Sequence, residues 1–228
     1  MIAVQNVVKY YRTRQGRRTV LDHVNLRLGR GEHMGILGRN GAGKSTLIRL
    51  LSGAEQPNAG RIVRGMSVSW PLAFGGAFNV HLTGLDNLKF VCRIHGVDYR
   101  PLLPFVEEFT ELGSYFREPV HHYSHGMLTR LAFALSMAIE FDCFLIDEAM
   151  VVGDARFHER CHHELFEKRR DRAFILVSHD PEVIRLYCQK ASVLVAGRLH
   201  NFDSVDEAYG FYNQQEHLPA RAEAPTET

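Results

Sequence analysis

The 228 residues are 45% hydrophobic, so the chain can bury a core of domain size. Its 27 Lys and Arg residues against 26 Asp and Glu leave a formal charge of +1, which excludes the strongly basic field typical of nucleic-acid-binding proteins. Its longest apolar stretches are much shorter than the roughly 20 residues that cross a bilayer, and its four scattered cysteines contain no CxxC pair, so we expect a soluble chain with reduced thiols.

The N-terminal part of the chain predicts a small antiparallel sheet. Apolar residues recur intermittently over residues 2–8 and 20–28, with glycine-bearing turns between the strands. From residue 34 the pattern changes to short buried strands followed by helices, which favours a largely parallel sheet. The strands of this sheet are expected at residues 34–37, 144–146, 173–177 and 191–195.

A glycine-rich segment follows the predicted strand 34–37 and precedes a helical run. GRNGAGKS, residues 38–45, matches the pattern GxxxxGK[ST] in full, which disfavours an ordinary glycine turn. The glycines let backbone N–H groups point inward, and the helix adds the positive end of its dipole, so we predict a site for ATP phosphates. Lys44 is expected to neutralise the β- and γ-phosphates, and the Ser45 hydroxyl to bind Mg²⁺. The nucleotide-binding residues predicted here are Gly38, Arg39, Asn40, Gly41, Ala42, Gly43, Lys44, Ser45 and Thr46.

A helical insert is predicted between the strands of the parallel sheet. Residues 84–117 combine helical stretches with Pro101, Pro104 and mixed charge, and the insert is expected to extend over the next helix to about residue 140.

The second half of the chain contains an apolar strand that ends in two carboxylates, FDCFLIDE at residues 141–148. Asp147 is predicted to hold Mg²⁺. Glu148 is predicted to act as the general base that polarises the attacking water. A strand ending in Asp-Glu is weak evidence by itself, but it becomes strong beside a phosphate loop.

The end of the chain predicts one more strand and one more helix. Residues 198–202 turn back after a glycine, and Ser204 with Glu207 forms a capping-box pattern that opens the last helix. The predicted nucleotide-binding domain covers residues 1–215. The tail, residues 216–228, is rich in Pro, Ala and Glu and is expected to be disordered.

Three further segments have phosphate-site or interface counterparts in a known family. YSHGM at residues 123–127 precedes an apolar helix. Considered by itself, Ser124 would be only the N-cap of that helix. AMVVGDARF follows Glu148, and VSHD places His179 at the end of an apolar strand. In this order the segments resemble the signature, D-loop and switch histidine of ABC ATPases, and the resemblance covers about residues 2–215.

This resemblance implies an α/β fold: a P-loop NTPase core of the ABC ATPase type with an N-terminal antiparallel β-subdomain and an inserted helical subdomain. It implies that Tyr11 stacks on adenine, with Tyr10 as the alternative, and that His179 contacts the γ-phosphate. Ser124 and Gly126 would face ATP bound to the other subunit, and Asp154 would cross the dimer interface.

The chain departs from the family pattern at two places. The usual Q-loop glutamine is absent from residues 69–84, where Asn79 and His81 are the nearest polar substitutes. The signature also has His125 and Met127 where the family has Gly and Gln. The link to a permease and the outer contacts of the signature are therefore left unassigned.

WPLAFGGAF, LTGLDNLKFVCRIHG and EAMVVGDARF resemble the ATPases that export capsular and related polysaccharides from Gram-negative bacteria. The resemblance implies an ATP-dependent homodimer at the cytoplasmic face of the inner membrane, with ATP and Mg²⁺, an integral membrane permease and envelope-spanning export partners, and without nucleic acid. The alternatives are an ABC exporter of another cargo, such as O-antigen or teichoic acid, a soluble ABC ATPase without a permease, and a small P-loop kinase.

Two clusters are interpreted as solvated helix faces. The first cluster is His158, Cys161 and His162, whose spacing would also suit a zinc site, but no fourth ligand is apparent. The second cluster is Arg169, Arg170 and Arg172, which is too short for a nucleic-acid patch.

Overall fold

The computed structural model describes residues 1–14, 16–72, 79–147 and 155–216. Its strands are β1 (Ile2–Thr13), β2 (Gly16–Leu28), β3 (His33–Leu37), β4 (Ala59–Arg64), β5 (Val68–Leu72), β6 (Cys143–Ile146), β7 (Ala173–Ser178), β8 (Lys190–Val195) and β9 (Arg198–Phe202). Its α-helices are α1 (Lys44–Ser52), α2 (Gly84–Ile94), α3 (Leu103–Thr110), α4 (His125–Ala138), α5 (Ala155–His162), α6 (Pro181–Tyr187) and α7 (Val205–Glu216).

The described strands form two sheets. The smaller one is antiparallel, with the order β2-β1-β4. The larger one has the order β5-β6-β7-β3-β8-β9 and is parallel except for β9, which pairs antiparallel with β8. The α/β fold class and the four parallel strands expected from the sequence are therefore confirmed.

The first two strands are longer than the apolar pattern predicts. Beyond residue 8, β1 continues into a ribbon with β2 in which Tyr10 pairs with Thr19 and Arg12 pairs with Arg17. Most side chains of this ribbon are exposed. Apolar alternation marks a strand only where one face is buried, so the solvated ribbon carried no such signal.

The sequence analysis missed β4 and β5. In β4 four of the six residues are exposed and none is fully buried, because it is an edge strand paired only with β1. In β5, Pro71 disguises the pattern, but a proline is tolerated at the edge of a sheet, where one side of the strand needs no donor.

Helices α2, α3 and α4 lie between β5 and β6 in the chain, where the helical insert is predicted. Thr83 caps α2 by accepting a hydrogen bond from Asp86 N at 3.0 Å, and its hydroxyl donates to Asp86 Oδ2 at 2.8 Å. Pro104 lies in the first turn of α3, where its missing N–H costs no helical bond.

Two hydrophobic cores lie on opposite faces of the parallel sheet. Along β6 the side chains alternate: Phe144 and Ile146 join the core built with α2, α3 and α4, whereas Cys143 and Leu145 join the core that contains α1 and the antiparallel sheet. The sheet thus holds α1 on one face and the helical insert on the other.

All four cysteines lie in described parts of the chain, where they are free and buried, in agreement with the expected reduced thiols. Within the described ranges, no helix combines the length and apolar character needed to span a membrane. The solvated-face interpretation is wrong for Arg169, whose side chain is only 11% exposed and pairs with Glu140 and Glu164.

Candidate functional site

The phosphate loop joins the end of β3 to the start of α1. Gly43 is the N-cap of α1 with φ of +108°, and Leu47 N donates to its carbonyl oxygen at 2.9 Å. Because a glycine N-cap has no side chain to bind the free N–H groups of the first turn, these groups are left for an anion. Lys44 Nζ lies beneath the loop, where it donates to the carbonyl oxygens of Gly38 and Arg39.

Gly38 is required by its surroundings. A Cβ at this position would lie 2.9 Å from the carbonyl oxygen of Leu194 in β8. This close approach of the loop to the sheet keeps the loop at the carboxyl edge of the strands, which is where open α/β sheets bind ligands.

Seven of the nine predicted loop residues line one cavity of about 310 Å³ together with the predicted metal ligand Asp147, whereas Gly38 and Ala42 do not line it. Asp147 enters it from the end of β6, two strands away from β3 in the sheet. A hydroxyl from Ser45 and a carboxylate from Asp147 facing one cavity are hard oxygen ligands of the kind that Mg²⁺ prefers. The residues that line the cavity are Arg18, Val20, Arg39, Asn40, Gly41, Gly43, Lys44, Ser45, Thr46 and Asp147.

Asp147 also lines a second cavity of about 340 Å³, together with His179. His179 is exposed in the turn between β7 and α6. This turn is held at both sides, because Ser178 Oγ accepts from Asp180 N at 2.9 Å, and Asp180 caps α6 by accepting from Glu182 N at 2.9 Å. The predicted switch histidine therefore lies near the predicted metal ligand.

The second cavity is also lined by His158, Cys161 and His162. Cys161 is buried, and burial raises the pKa of its thiol to about 12, so the solvated-face interpretation is wrong for this residue. Among the described residues, no group of three or more His, Cys, Asp or Glu side chains is arranged to hold a metal ion.

Ser124 is the N-cap of α4, and its hydroxyl accepts from Met127 N at 3.3 Å. It is exposed, and at Gly126 the space that a Cβ would occupy is open. The helix start is thus accessible to an anion, but its predicted contact with ATP requires a second subunit and stays a prediction.

Tyr11 is half-buried on β1, and its hydroxyl donates to Glu55 Oε2 at 2.7 Å. Its predicted stacking on adenine stays a prediction. The ring of Tyr10, the alternative to Tyr11, is covered by the guanidinium of Arg17, which lies 3.4 Å from the ring centroid. Glu148 and Asp154 lie outside the described residues, so their predicted roles rest on the sequence.

Two lining residues were missed by the sequence analysis. Arg18 and Val20 belong to β2 and enter the cavity from the antiparallel sheet. Neither residue belongs to a motif. Only the strand register relates Arg18 to the site, because Arg18 pairs with Tyr11 and the two side chains therefore lie on the same face of the hairpin.

Asn79, one of the two proposed substitutes for the Q-loop glutamine, is anchored to α2 by a residue that the sequence analysis did not select. Asn87 is fully buried, its Oδ1 accepts from Asn79 N at 2.9 Å, and its Nδ2 donates to Asn79 O at 3.0 Å. His81 N in turn donates to Asn79 Oδ1 at 2.9 Å. The Asn79 side chain therefore shapes its own turn.

Comparison with known proteins identifies similar sequences over almost the whole chain. The family profile described as "ABC transporter" matches residues 21–75. The ATP-binding protein BexA of Haemophilus influenzae is 58% identical over 214 residues, which cover 94% of this chain and 99% of BexA. The capsule polysaccharide export ATP-binding protein CtrD of Neisseria meningitidis serogroup B is 58% identical over 93% of this chain and 99% of CtrD.

A solved structure shares the fold. The ATP-binding cassette MJ0796, in a dimeric post-hydrolysis state bound to ADP and Pi, superimposes with a TM-score of 0.75 at 20% identity, over 89% of this chain and 98% of that one. At this identity the similarity establishes the fold, an ABC ATPase cassette.

Proposed function

This chain belongs to the ATP-binding subunits with which ABC transporters export capsular polysaccharide, and we propose that it binds one ATP in the cavity beside its phosphate loop. It is an ATPase that powers capsular polysaccharide export.

One observation carries the proposal. Lys44 and Ser45, at the start of α1, and Asp147, which follows β6 much later in the chain, line one cavity at the carboxyl edge of the parallel sheet. The first turn of α1 borders the same cavity, and its N–H groups have no side-chain cap because Gly43 is the N-cap. Cation, helix start and metal ligands therefore converge where a triphosphate would lie.

Ser45 and Asp147 would hold Mg²⁺, and the ion would supply positive charge that neutralises the phosphate oxygens of ATP. Lys44 then binds the β- and γ-phosphates, and the backbone of Gly41 and Gly43 curves around them.

Hydrolysis joins a water oxygen to the γ-phosphorus and breaks its bond to the oxygen bridging to the β-phosphorus. Glu148 follows Asp147 directly, and we assign it to orient this water and accept its proton. We assign His179, which lines the cavity shared with Asp147, to contact the γ-phosphate. Little else is needed from the protein, because phosphoryl transfer depends mainly on positioning and on charge stabilisation.

The proposed working unit is a head-to-tail homodimer that holds two ATP molecules. Ser124 and Gly126, at the accessible start of α4, would donate to ATP on the partner, and Asp154 would lie at the interface. ATP contacts both chains in the closed state only, so binding favours closure and hydrolysis favours opening.

A separate integral membrane permease would convert closure into transport, with the chain at the cytoplasmic face of the inner membrane and envelope-spanning partners beyond it. This part of the proposal is supported by the names of the relatives, BexA and CtrD, which are ATP-binding proteins, CtrD of capsule export.

Two substitutions test the catalytic assignment. Glu148→Gln is expected to lower ATP hydrolysis roughly 100-fold or more while ATP binding persists, because the base is lost and the phosphate site is kept. Lys44→Ala is expected to weaken ATP binding itself. Steady-state phosphate release and equilibrium ATP binding distinguish the two effects.

Glu159→Gln is the matched control, since Glu159 is an exposed glutamate on α5 that undergoes the same chemical change. It is expected to behave as the wild type. If Glu148→Gln hydrolysed ATP at the wild-type rate, Glu148 would not be the base; if the wild type bound no ATP, the proposed function itself would be wrong.

A further inference from the structure

A cluster of four side chains joins β1 to the region around the end of α1. Tyr11 Oη donates to Glu55 Oε2 at 2.7 Å, and Arg49 Nε donates to Glu55 Oε1 at 2.5 Å. Lys9 Nζ lies 2.9 Å from Glu55 Oε2 and 5.2 Å from the centre of the Tyr11 ring. Glu55 thus receives three donors, and we call Lys9, Tyr11, Arg49 and Glu55 the tyrosine tether.

The tether reaches the nucleotide cavity at two points. Arg49 Nη2 donates to the hydroxyl of Thr46 at 3.2 Å and to that of Tyr11 at 3.3 Å. Thr46 is a lining residue of the 310 Å³ cavity. Tyr11 pairs across the hairpin with Arg18, which lines the same cavity, so the Tyr11 side chain lies on the cavity face of the ribbon.

The backbone that carries Glu55 is held as well. Gly53 ends α1 in the left-handed conformation with its N–H donating to Leu50 O at 3.2 Å, and Glu55 N donates to Arg49 O at 3.1 Å. The carboxylate is therefore presented from a fixed turn.

The carboxylate of Glu55 stays ionised over the physiological range. Partial burial raises its pKa, but the hydrogen bonds from Tyr11, Lys9 and Arg49 outweigh burial and lower the pKa to about 2. Hydrogen bonds to an ionised acceptor are the strong ones, so the carboxylate can hold a tyrosine side chain in one orientation.

We propose that Arg49 and Glu55 are positioning residues that fix Tyr11 for stacking on adenine and Thr46 for contact with the phosphates. This inference rests on the proposed function, because it assumes that ATP occupies the cavity. The tether has two arms: Glu55 and the Tyr11 hydroxyl act on the base side, whereas Arg49 acts on both sides through its two hydroxyl partners.

An ordinary surface ion pair would not have these features. Exposed pairs contribute little to stability and hold their side chains loosely. Here the Lys9 side chain is 12% exposed and that of Glu55 is 24% exposed. The contacts of β1 reach Arg49 in α1, 38 positions from Tyr11, and Glu55 beyond its end.

The test compares ATP with magnesium tripolyphosphate, a probe with the phosphates but without the base. Tyr11→Phe removes only the hydroxyl, and Glu55→Ala removes the acceptor. Both are expected to raise the KM and the dissociation constant for ATP roughly three- to tenfold, because a hydrogen bond to a charged group is lost, while kcat and the inhibition constant of tripolyphosphate stay within about twofold. Arg49→Ala is expected to weaken binding of both probes.

Glu32→Gln is the matched control. Glu32 accepts a 2.7 Å bond from Lys190 and a bond from Gly29 N, but it lies beside the amino end of β3, away from the phosphate loop. The control is expected to leave both probes unaffected, and thermal unfolding of each variant shows whether it folds.

The outcomes separate the tether from the proposed function. If Tyr11→Phe bound ATP like the wild type while Tyr11→Ala bound it weakly, the ring would act without the tether. Equal weakening of both probes in Tyr11→Phe and Glu55→Ala would also overturn the division into arms. A wild-type chain that bound neither probe would refute the proposed function, and the tether with it.

Discussion

Two glycines of the phosphate loop have similar backbone angles but different surroundings. Gly41 has φ of +82° and open space where a Cβ would lie, whereas at Gly43, with φ of +108°, a Cβ would lie 3.0 Å from Val20 O and 3.1 Å from Leu21 Cδ2. Gly41→Ala is expected to cost roughly 1–2 kcal/mol of unfolding free energy from strain, and Gly43→Ala roughly 2–5 kcal/mol because crowding is added. Urea unfolding measures both. Equal losses would mean that the contacts at Gly43 relax freely.

At the residue scale, the sequence predicted those cavity residues that belong to a recognisable motif. The loop pattern and the strand ending in Asp147 were enough to expect that Lys44, Ser45 and Asp147 share one cavity, as the structure has them. Arg18 and Glu55 escaped prediction for a physical reason. Their positions near the site follow from strand register and from a side-chain network between distant residues, and neither leaves a local pattern.

At the scale of elements, the start of α4 allows a separation of two roles of one serine. Ser124→Ala is expected to lower the unfolding free energy by about 1 kcal/mol through loss of the cap, whereas Ser124→Asp caps equally well and keeps stability. If Ser124 contacts a phosphate, both variants are expected to abolish ATP-dependent dimerisation and hydrolysis. The alanine removes the hydroxyl that makes the contact, and the aspartate repels the phosphate. Urea unfolding, sedimentation with ATP and phosphate release measure these effects. An aspartate variant with wild-type hydrolysis would leave Ser124 as a cap only.

The predicted elements agree with the structure where burial is one-sided or complete. The strands β6, β7 and β8 have buried central residues and were expected within one or two residues of their bounds. The exposed β4 was missed because hydrophobic pattern reports burial and not hydrogen bonding, and the partly buried β5 was missed because Pro71 argues against a strand. Helices lie between β5 and β6, where Pro104 and the mixed charge favoured an insert, and the helical subdomain at about residues 84–140 stays a prediction.

At the scale of the whole molecule, buried thiols in both cores make the fold sensitive to alkali. Burial raises the pKa of Cys143, Cys161 and Cys188 to about 12, from an ordinary value of 9.0. A neutral thiol is favoured in the folded state, so its contribution is complete below pH 9 and is lost as the pH rises from about 9 towards 12.

The unfolding free energy is therefore expected to fall above pH 9, by at most about 1.4 kcal/mol per pH unit for each thiol. Urea unfolding at pH 8, 9 and 10 measures the slope, and Cys143→Ala should make it shallower. An unchanged slope in that variant would mean that other groups cause the alkaline loss.

The chain's one tryptophan, Trp70, sits on β5 and donates through Nε1 to Ser136 Oγ in α4 at 2.7 Å, with the Phe141 ring 5.3 Å away in an edge-on arrangement. Because Ser124 is the N-cap of α4, the indole joins the parallel sheet to the helix that follows the predicted signature serine. The fluorescence emission of Trp70 is therefore expected to change when this helix moves relative to the sheet. Stopped-flow fluorescence on mixing with nucleotide can follow movement of the helical insert in the unlabelled protein.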